Sequence, residues 1–256
     1  MSASLENKIV LITGASSGIG ADSARLFAGQ KAKLILAARR TEKLAALKKE
    51  LSALTDVHTL TLDVRDYQAM QSALEQLPTE WQSIDILLNN AGVSRGLAKI
   101  SEGNIEHWKE MIDTNLYGFL YTLRAVLPGM VARQKGHVIN VGSISGREVY
   151  PGGSVYCATK SAVHSITKTL RLECLGTPIR VTEIAPGAVE TEFSIVRYDG
   201  DVERAKETYE GMTPLSGNDV ARAVLFAASS DPEVNISELV LMSTDQAGVR
   251  TIHRRK

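Results

Sequence analysis

Short apolar runs alternate along this chain with longer stretches whose apolar positions recur every three or four residues. The runs predict strands at Lys8 to Ile12, Lys33 to Ala37, Val57 to Leu62, Ile84 to Leu88, His137 to Val141, Ile179 to Ile184 and Leu239 to Met242. Between them, the periodic stretches predict helices at Ile19 to Ala28, Glu42 to Leu54, Tyr67 to Leu77, Asn104 to Arg133, Ser154 to Leu175 and Asn218 to Ser229. Pro128 is expected to kink the longest of these, because it removes a backbone donor from the ladder. No repeat or low-complexity linker interrupts the alternation, which is the pattern of an α/β fold with a parallel sheet covered by helices on both faces.

Composition narrows the function classes. With 256 residues, 44% of them hydrophobic, the chain can bury one large core, so a single domain over 1–256 is expected. Lys and Arg number 29 and so do Asp and Glu, which leaves no overall field to draw nucleic acid or an anionic membrane surface. Small molecules are the expected partners. No apolar run approaches the roughly 18 residues of a spanning helix, and Met1 to Asn7 lacks the regions of a secretory signal, so a cytoplasmic location is expected. Cys157 and Cys174 fall on one predicted helix, too far apart to bridge, and read as reduced thiols. The Asn235, Ile236, Ser237 sequon would then go unused. No His and Cys cluster has ligand spacing, His164 reads as structural, and no metal is expected.

The chemistry-bearing residues fall at strand ends. The first strand runs into Thr13, Gly14, Ala15, Ser16, Ser17, Gly18, Ile19 and Gly20 and then a helix, an arrangement in which backbone can approach a pyrophosphate at a positive helix end. Its glycines are spaced by three residues and then one, unlike the common dinucleotide fingerprint, and a plain turn has the same composition. After the second strand, Arg39 and Arg40 stand where a ribose-binding acid would stand for NAD; two guanidiniums suit a phosphate, so NADP(H) is the expected cofactor. A solvated basic turn is the plainer alternative. Asp63 and Val64 follow the third strand, where a carboxylate can accept from an adenine amino group or cap a helix, Asp66 being the better cap. Asn89, Asn90, Ala91 and Gly92 follow the fourth.

Tyr156 and Lys160, four residues apart on a predicted helix, share one face, and Ser143 lies upstream at the end of a strand. A tyrosine works as a base near neutrality only if its pKa of about 10 falls by roughly three units, which is about 4 kcal/mol. A cation about 4 Å away supplies about that much at an effective dielectric of about 20, so Lys160 is expected to lower Tyr156.

From the glycine loop through Asn90 to Ser143, Tyr156 and Lys160, the chain resembles the short-chain dehydrogenase/reductase family over essentially its whole length. The resemblance implies a single Rossmann domain, a doubly wound seven-stranded parallel sheet, with a coenzyme half near 1–142 and a catalytic and substrate half near 143–256. It implies that Tyr156 is the acid/base toward the substrate oxygen, that Lys160 holds the nicotinamide ribose and depresses the phenol, and that Ser143 bonds the carbonyl or alkoxide. Asn115 matches the family's asparagine that keeps a water connecting the lysine to solvent. Pro186, Gly187, Val189 and Thr191 match the loop over the nicotinamide carboxamide. The family commonly assembles as homotetramers, which would cover the apolar stripes of the two long helices.

Gly146, Arg147, Tyr150, Pro151 and Gly152, then Glu190 through Tyr198, and the ending from Leu241 to Gln246 are similar to NADP-dependent 3-hydroxy acid dehydrogenases acting on L-serine and L-allo-threonine. A hydroxy acid needs a cation for its carboxylate, and Arg147 and Arg197 are the candidates; either could instead pair with Glu148, Glu190 or Glu192. Ser145, Tyr150 and Phe193 are expected to line the pocket beneath a lid from Glu190 to Gly211. A broad carbonyl reductase and a non-catalytic dinucleotide sensor are the competing readings. The basic end, His253 to Lys256, reads equally as a frayed tail or a segment crossing a subunit boundary.

Overall fold

The computed structural model describes residues 3–255; Met1, Ser2 and Lys256, the outermost residues of the expected domain and of its basic end, lie outside the described residues. Strands β1 (Ile9–Thr13), β2 (Lys33–Ala38), β3 (Val57–Thr61), β4 (Ile86–Asn89), β5 (Gly136–Val141) and β6 (Ile179–Pro186) come first, followed by the two-residue strands β7 (Val189–Glu190) and β8 (Leu215–Ser216) and then β9 (Glu238–Leu241). The helices are α1 (Gly18–Gly29), α2 (Thr41–Leu51), α3 (Tyr67–Glu75), α4 (Ile105–Ile112), α5 (Phe119–Arg133), α6 (Ser154–Glu173), α7 (Glu192–Arg197), α8 (Val202–Glu207) and α9 (Gly217–Ala228). Seven strands form one parallel sheet in the order β3-β2-β1-β4-β5-β6-β9, and β7 pairs with β8 separately.

Alternation along the central strands sorts their side chains onto two faces. Val10, Ile12, Leu34 and Leu36 join one core with Phe27 of α1, Leu44 of α2 and Val220 and Val224 of α9. Ile9, Leu11, Ile35 and Ala37 join a second core with Met70 of α3, Phe119, Leu123 and Met130 of α5 and Val163 of α6. Because both faces are covered, β1 and β2 read as nearly continuous apolar runs. The strand order reverses between β1 and β4, and the crevice beyond their carboxyl ends is where such sheets bind ligands.

Two departures from the sequence expectation bear on the site. The stretch from Asn104 to Arg133 is not one helix: a π turn at Asp113–Gly118 separates α4 from α5. Pro128, expected to kink it, sits inside α5 without interrupting it. The expected lid contains α7 and α8, two short helices that the apolar pattern did not resolve.

Candidate active site

The carboxyl ends of β1 and β4 are held together by side chains from both. Asn90 Nδ2 donates to the Thr13 carbonyl at 2.9 Å, and the Asn90 amide donates to Thr13 Oγ1 at 3.0 Å. The turn that follows β1 needs its glycines. Gly14 has φ +65°, and a Cβ on Gly20 would lie 2.4 Å from the Gly14 carbonyl oxygen. The positive end of α1 therefore opens onto a cleft of about 720 Å³.

The cleft runs from Gly14, Arg39 and Arg40 at one end to Ser143, Tyr156 and Lys160 at the other. Each residue expected to bind coenzyme lines it, except Gly20, which is buried behind the turn. At the β2 end, Arg40 donates to Ser16 Oγ at 3.0 Å and to Ser17 Oγ at 2.8 Å, and also to Glu192 Oε2 at 2.8 Å; Lys43 donates to Glu192 Oε1. Two hydroxyls, a guanidinium and an ammonium thus gather beyond the end of β2, a donor set whose chemistry fits the 2′-phosphate of NADP. Arg39 lies 4.0 Å from Asp63, whose carboxylate is bound at 2.6 Å by Arg65. The capping expectation holds for Asp66, which accepts from the Ala69 amide at 2.9 Å. Sequence reading missed Lys43 and Glu192, since neither belongs to a strand-end motif.

Tyr156 and Lys160 both face inward from α6, 8% and 6% exposed. Lys160 Nζ donates to the Val141 carbonyl at 2.9 Å. Burial drives the ammonium down to about 8, against the charge of the fully buried Glu183, and drives the phenol up to about 12. The expectation that Lys160 lowers the phenol is corrected here. The largest opposing influence on Tyr156 is Arg197, and the Ser143 hydroxyl beside it also lowers it. The physical reason is that Lys160 is as deeply buried as its neighbour and directs its proton to the backbone. The Arg197 guanidinium carbon lies 5.4 Å from the centroids of both the Tyr156 and the Phe193 rings, and Nε donates to Ser94 Oγ at 3.0 Å.

Asn115, in the π turn, does not line the cleft. Its side chain accepts from the Val93 amide at 2.7 Å and donates to the Val93 carbonyl at 2.8 Å and to Thr159 Oγ1 at 3.1 Å, tying the β4 exit to α6. Ser143 Oγ accepts from the Ser145 amide at 3.0 Å. Ser145, Tyr150, Phe193 and Arg197 line the cleft; Arg147 does not. Its guanidinium contacts Glu183 and Glu238 at 3.2 and 3.0 Å and donates to the Ser143 carbonyl at 3.2 Å. Arg147 is therefore corrected from a substrate candidate to an ion-paired support for the Ser143 backbone, and its partners are not the three glutamates considered from sequence. His164 joins this cluster at 2.7 Å from Glu183. Its ring nitrogen and the two carboxylates lie within 4.8 Å of one another, a convergence across α6, β6 and β9 that sequence spacing does not reveal.

The segment expected to be a lid is bonded to the loop after β4: Arg95 donates to the Val196 carbonyl at 2.8 Å, and the Gly96 amide donates to the Arg197 carbonyl at 2.8 Å. The described part of the basic end is not frayed. Arg254 donates to the Thr208 carbonyl at 3.1 Å, and Arg255 binds Asp245 at 2.7 Å and donates to the Gly211 carbonyl at 2.7 Å. Arg250, also unforeseen, lines the cleft beside Tyr150.

Comparison with known proteins adds the following. The family model described as short chain dehydrogenase matches residues 8–200. A relative named NADP-dependent 3-hydroxy acid dehydrogenase, from Schizosaccharomyces pombe, is 44% identical over 98% of this chain and 98% of its own. One named NADP-dependent 3-hydroxy acid dehydrogenase YdfG, from Salmonella typhi, is 46% identical over 96% of this chain and 99% of its own. A solved structure described as the closed form of serine dehydrogenase complexed with NADP+ superposes with a TM-score of 0.91 at 43% identity, covering 97% of this chain and all (100%) of that one.

Proposed function

The chain belongs to the short-chain dehydrogenase family, and on that premise we propose that it is an NADP-dependent oxidoreductase transferring hydride between the coenzyme and the hydroxyl-bearing carbon of a 3-hydroxy acid such as L-serine or L-allo-threonine. One observation carries this reading: a single cleft joins a phosphate-ready group, Arg40 with Ser16 and Ser17, to a proton-transfer group, Tyr156 with Ser143 and Lys160, and places the Arg197 cation beside the phenol.

The nicotinamide, when bound, supplies or accepts the hydride. The protein does the rest. Ser143 and Tyr156 grip the substrate oxygen, and the Tyr156 hydroxyl gives or takes its proton. Lys160, fixed by the Val141 carbonyl, holds the ribose side of the cleft. Arg197 binds the carboxylate: among the described residues only its Nε has a hydrogen-bond partner, and its guanidinium lies beside the Tyr156 ring. Glu190 to Gly211 forms the lid that excludes water while the proton moves.

Two coarser features complete the reading. Among the described residues no helix is long and apolar enough to cross a membrane, and Cys157 and Cys174 are buried free thiols, which supports a cytoplasmic enzyme. Exposed apolar side chains on α4 to α6, among them Ile105, Tyr117, Leu120 and Leu172, support a homotetramer that would cover them.

The test is NADPH formation with a panel of 3-hydroxy acids and simple alcohols, using wild type and Arg197→Gln. Hydroxy acids should be preferred by wild type, and the substitution should raise KM for L-serine on the order of tenfold or more, consistent with a lost charge-assisted pair, with little change for an uncharged alcohol. Equal effects on both would remove Arg197 from recognition; wild-type preference for neutral carbonyls would favour a broad reductase.

A further inference from the structure

The cations at the β2 end of the cleft already hold an anion from within the chain. Arg40 and Lys43 lie just beyond β2 and in the first turn of α2, and Glu192 is the first residue of α7 on the far side of the cleft. One carboxylate spans both: Oε2 accepts from Arg40 Nη1 at 2.8 Å, and Oε1 accepts from Lys43. The Ser16 and Ser17 hydroxyls complete the shell around the guanidinium at 3.0 and 2.8 Å. Partial burial alone would raise the Glu192 carboxyl, but the bonds from Lys43 and Arg40 outweigh it and hold it at about 2, so the group is anionic at any working pH.

We propose that Glu192 is an internal competitor for the 2′-phosphate of NADP: its carboxylate occupies the two cations that the phosphate requires, and the coenzyme binds by displacing it. The inference rests on the NADP reading above and adds a residue that sets coenzyme affinity and discrimination. A dianionic phosphate and a carboxylate cannot share Arg40 and Lys43 without like-charge repulsion, so each molecule of NADP that enters gives up part of its binding free energy to break the Glu192 contacts. NAD, with a hydroxyl in place of that phosphate, needs neither cation and leaves the Glu192 pair intact. Arg39 lies 4.0 Å from Asp63 and has no contact with Glu192, so it is available for the first approach of the phosphate. Because α7 also carries Phe193 and Arg197 against Tyr156, the exchange of anions at Arg40 takes place at the base of the helix that borders the catalytic group.

Titration calorimetry of wild type, Glu192→Gln, Arg40→Ala and the double variant with NADP+ and with NAD+ tests this without any turnover. Gln keeps the size of the side chain and removes its charge. We expect Glu192→Gln to bind NADP+ about fivefold more tightly, the scale of one or two half-exposed ion pairs, with NAD+ unchanged to within about twofold. In the Arg40→Ala background the gain should shrink, because one of the contested cations is gone. Weaker or unchanged NADP+ binding by Glu192→Gln overturns the inference, as does an equal gain for both coenzymes. Wild type that binds NAD+ as tightly as NADP+ overturns the NADP reading itself and the inference with it.

Discussion

Tyr156 shows how burial and charge divide the work at one residue. A helix spacing of four places Lys160 on the same face, as the sequence indicates, but the same face is the buried one, and burial lifts the phenol to about 12 while it lowers the lysine to about 8. Of the two, Lys160 is the one that changes protonation within the working range, near about 8. The sign follows: oxidation of an alcohol needs a group able to accept its proton, so kcat/KM for oxidation should rise with pH through about 8, and carbonyl reduction should fall across the same interval. A profile flat from about pH 6.5 to about 9.5 would contradict this assignment. At this scale sequence indicated which residues line the cleft, because Ser143, Tyr156 and the strand-end glycines sit at fixed distances along the chain. Arg147 was misread for the opposite reason: its partners Glu183 and Glu238 come from β6 and β9, and no spacing announces a contact across that separation.

At the scale of elements, strands and regular helices were legible to within two or three residues because each core uses strict alternation or a helical stripe. The exceptions are places where side chains override the pattern. Asn115 spends its amide on Val93 and Thr159, and the backbone there widens into a π turn in the middle of an apolar helical stripe. Helices α7 and α8 are each six residues long, too short for periodicity to register; Thr191 and Asp201 cap them, and bonds to the 94–96 loop hold α7. The faces of α5 and α6 that stay apolar and uncovered, with Leu120 and Leu172 36% and 73% exposed, give this scale its prediction. Sedimentation should report a tetramer, and replacing Leu172 by Glu should shift it toward smaller species. A wild-type monomer would contradict the assembly.

For the molecule as a whole, one sheet carries two functions because its strand order reverses between β1 and β4. The glycine turn and Arg40 fall on one side of that reversal and Ser143 on the other, so a single extended ligand can reach both. Overall neutrality pointed to small-molecule partners and the alternation of runs to an α/β fold, and one cleft at the strand ends is in keeping with both. Less legible was the traffic of charge across it, above all the lid carboxylate of Glu192 on Arg40, since the two are 152 residues apart.

The most direct test of the central claim is a paired measurement on Tyr156→Phe: coenzyme binding by calorimetry and NADPH formation from L-serine by absorbance. NADP+ affinity should stay within about twofold of wild type, while turnover falls by at least about a hundredfold, because the phenol acts on the proton and not on the dinucleotide. A variant that binds NADP+ normally and still oxidises L-serine at a rate near that of wild type would contradict the account.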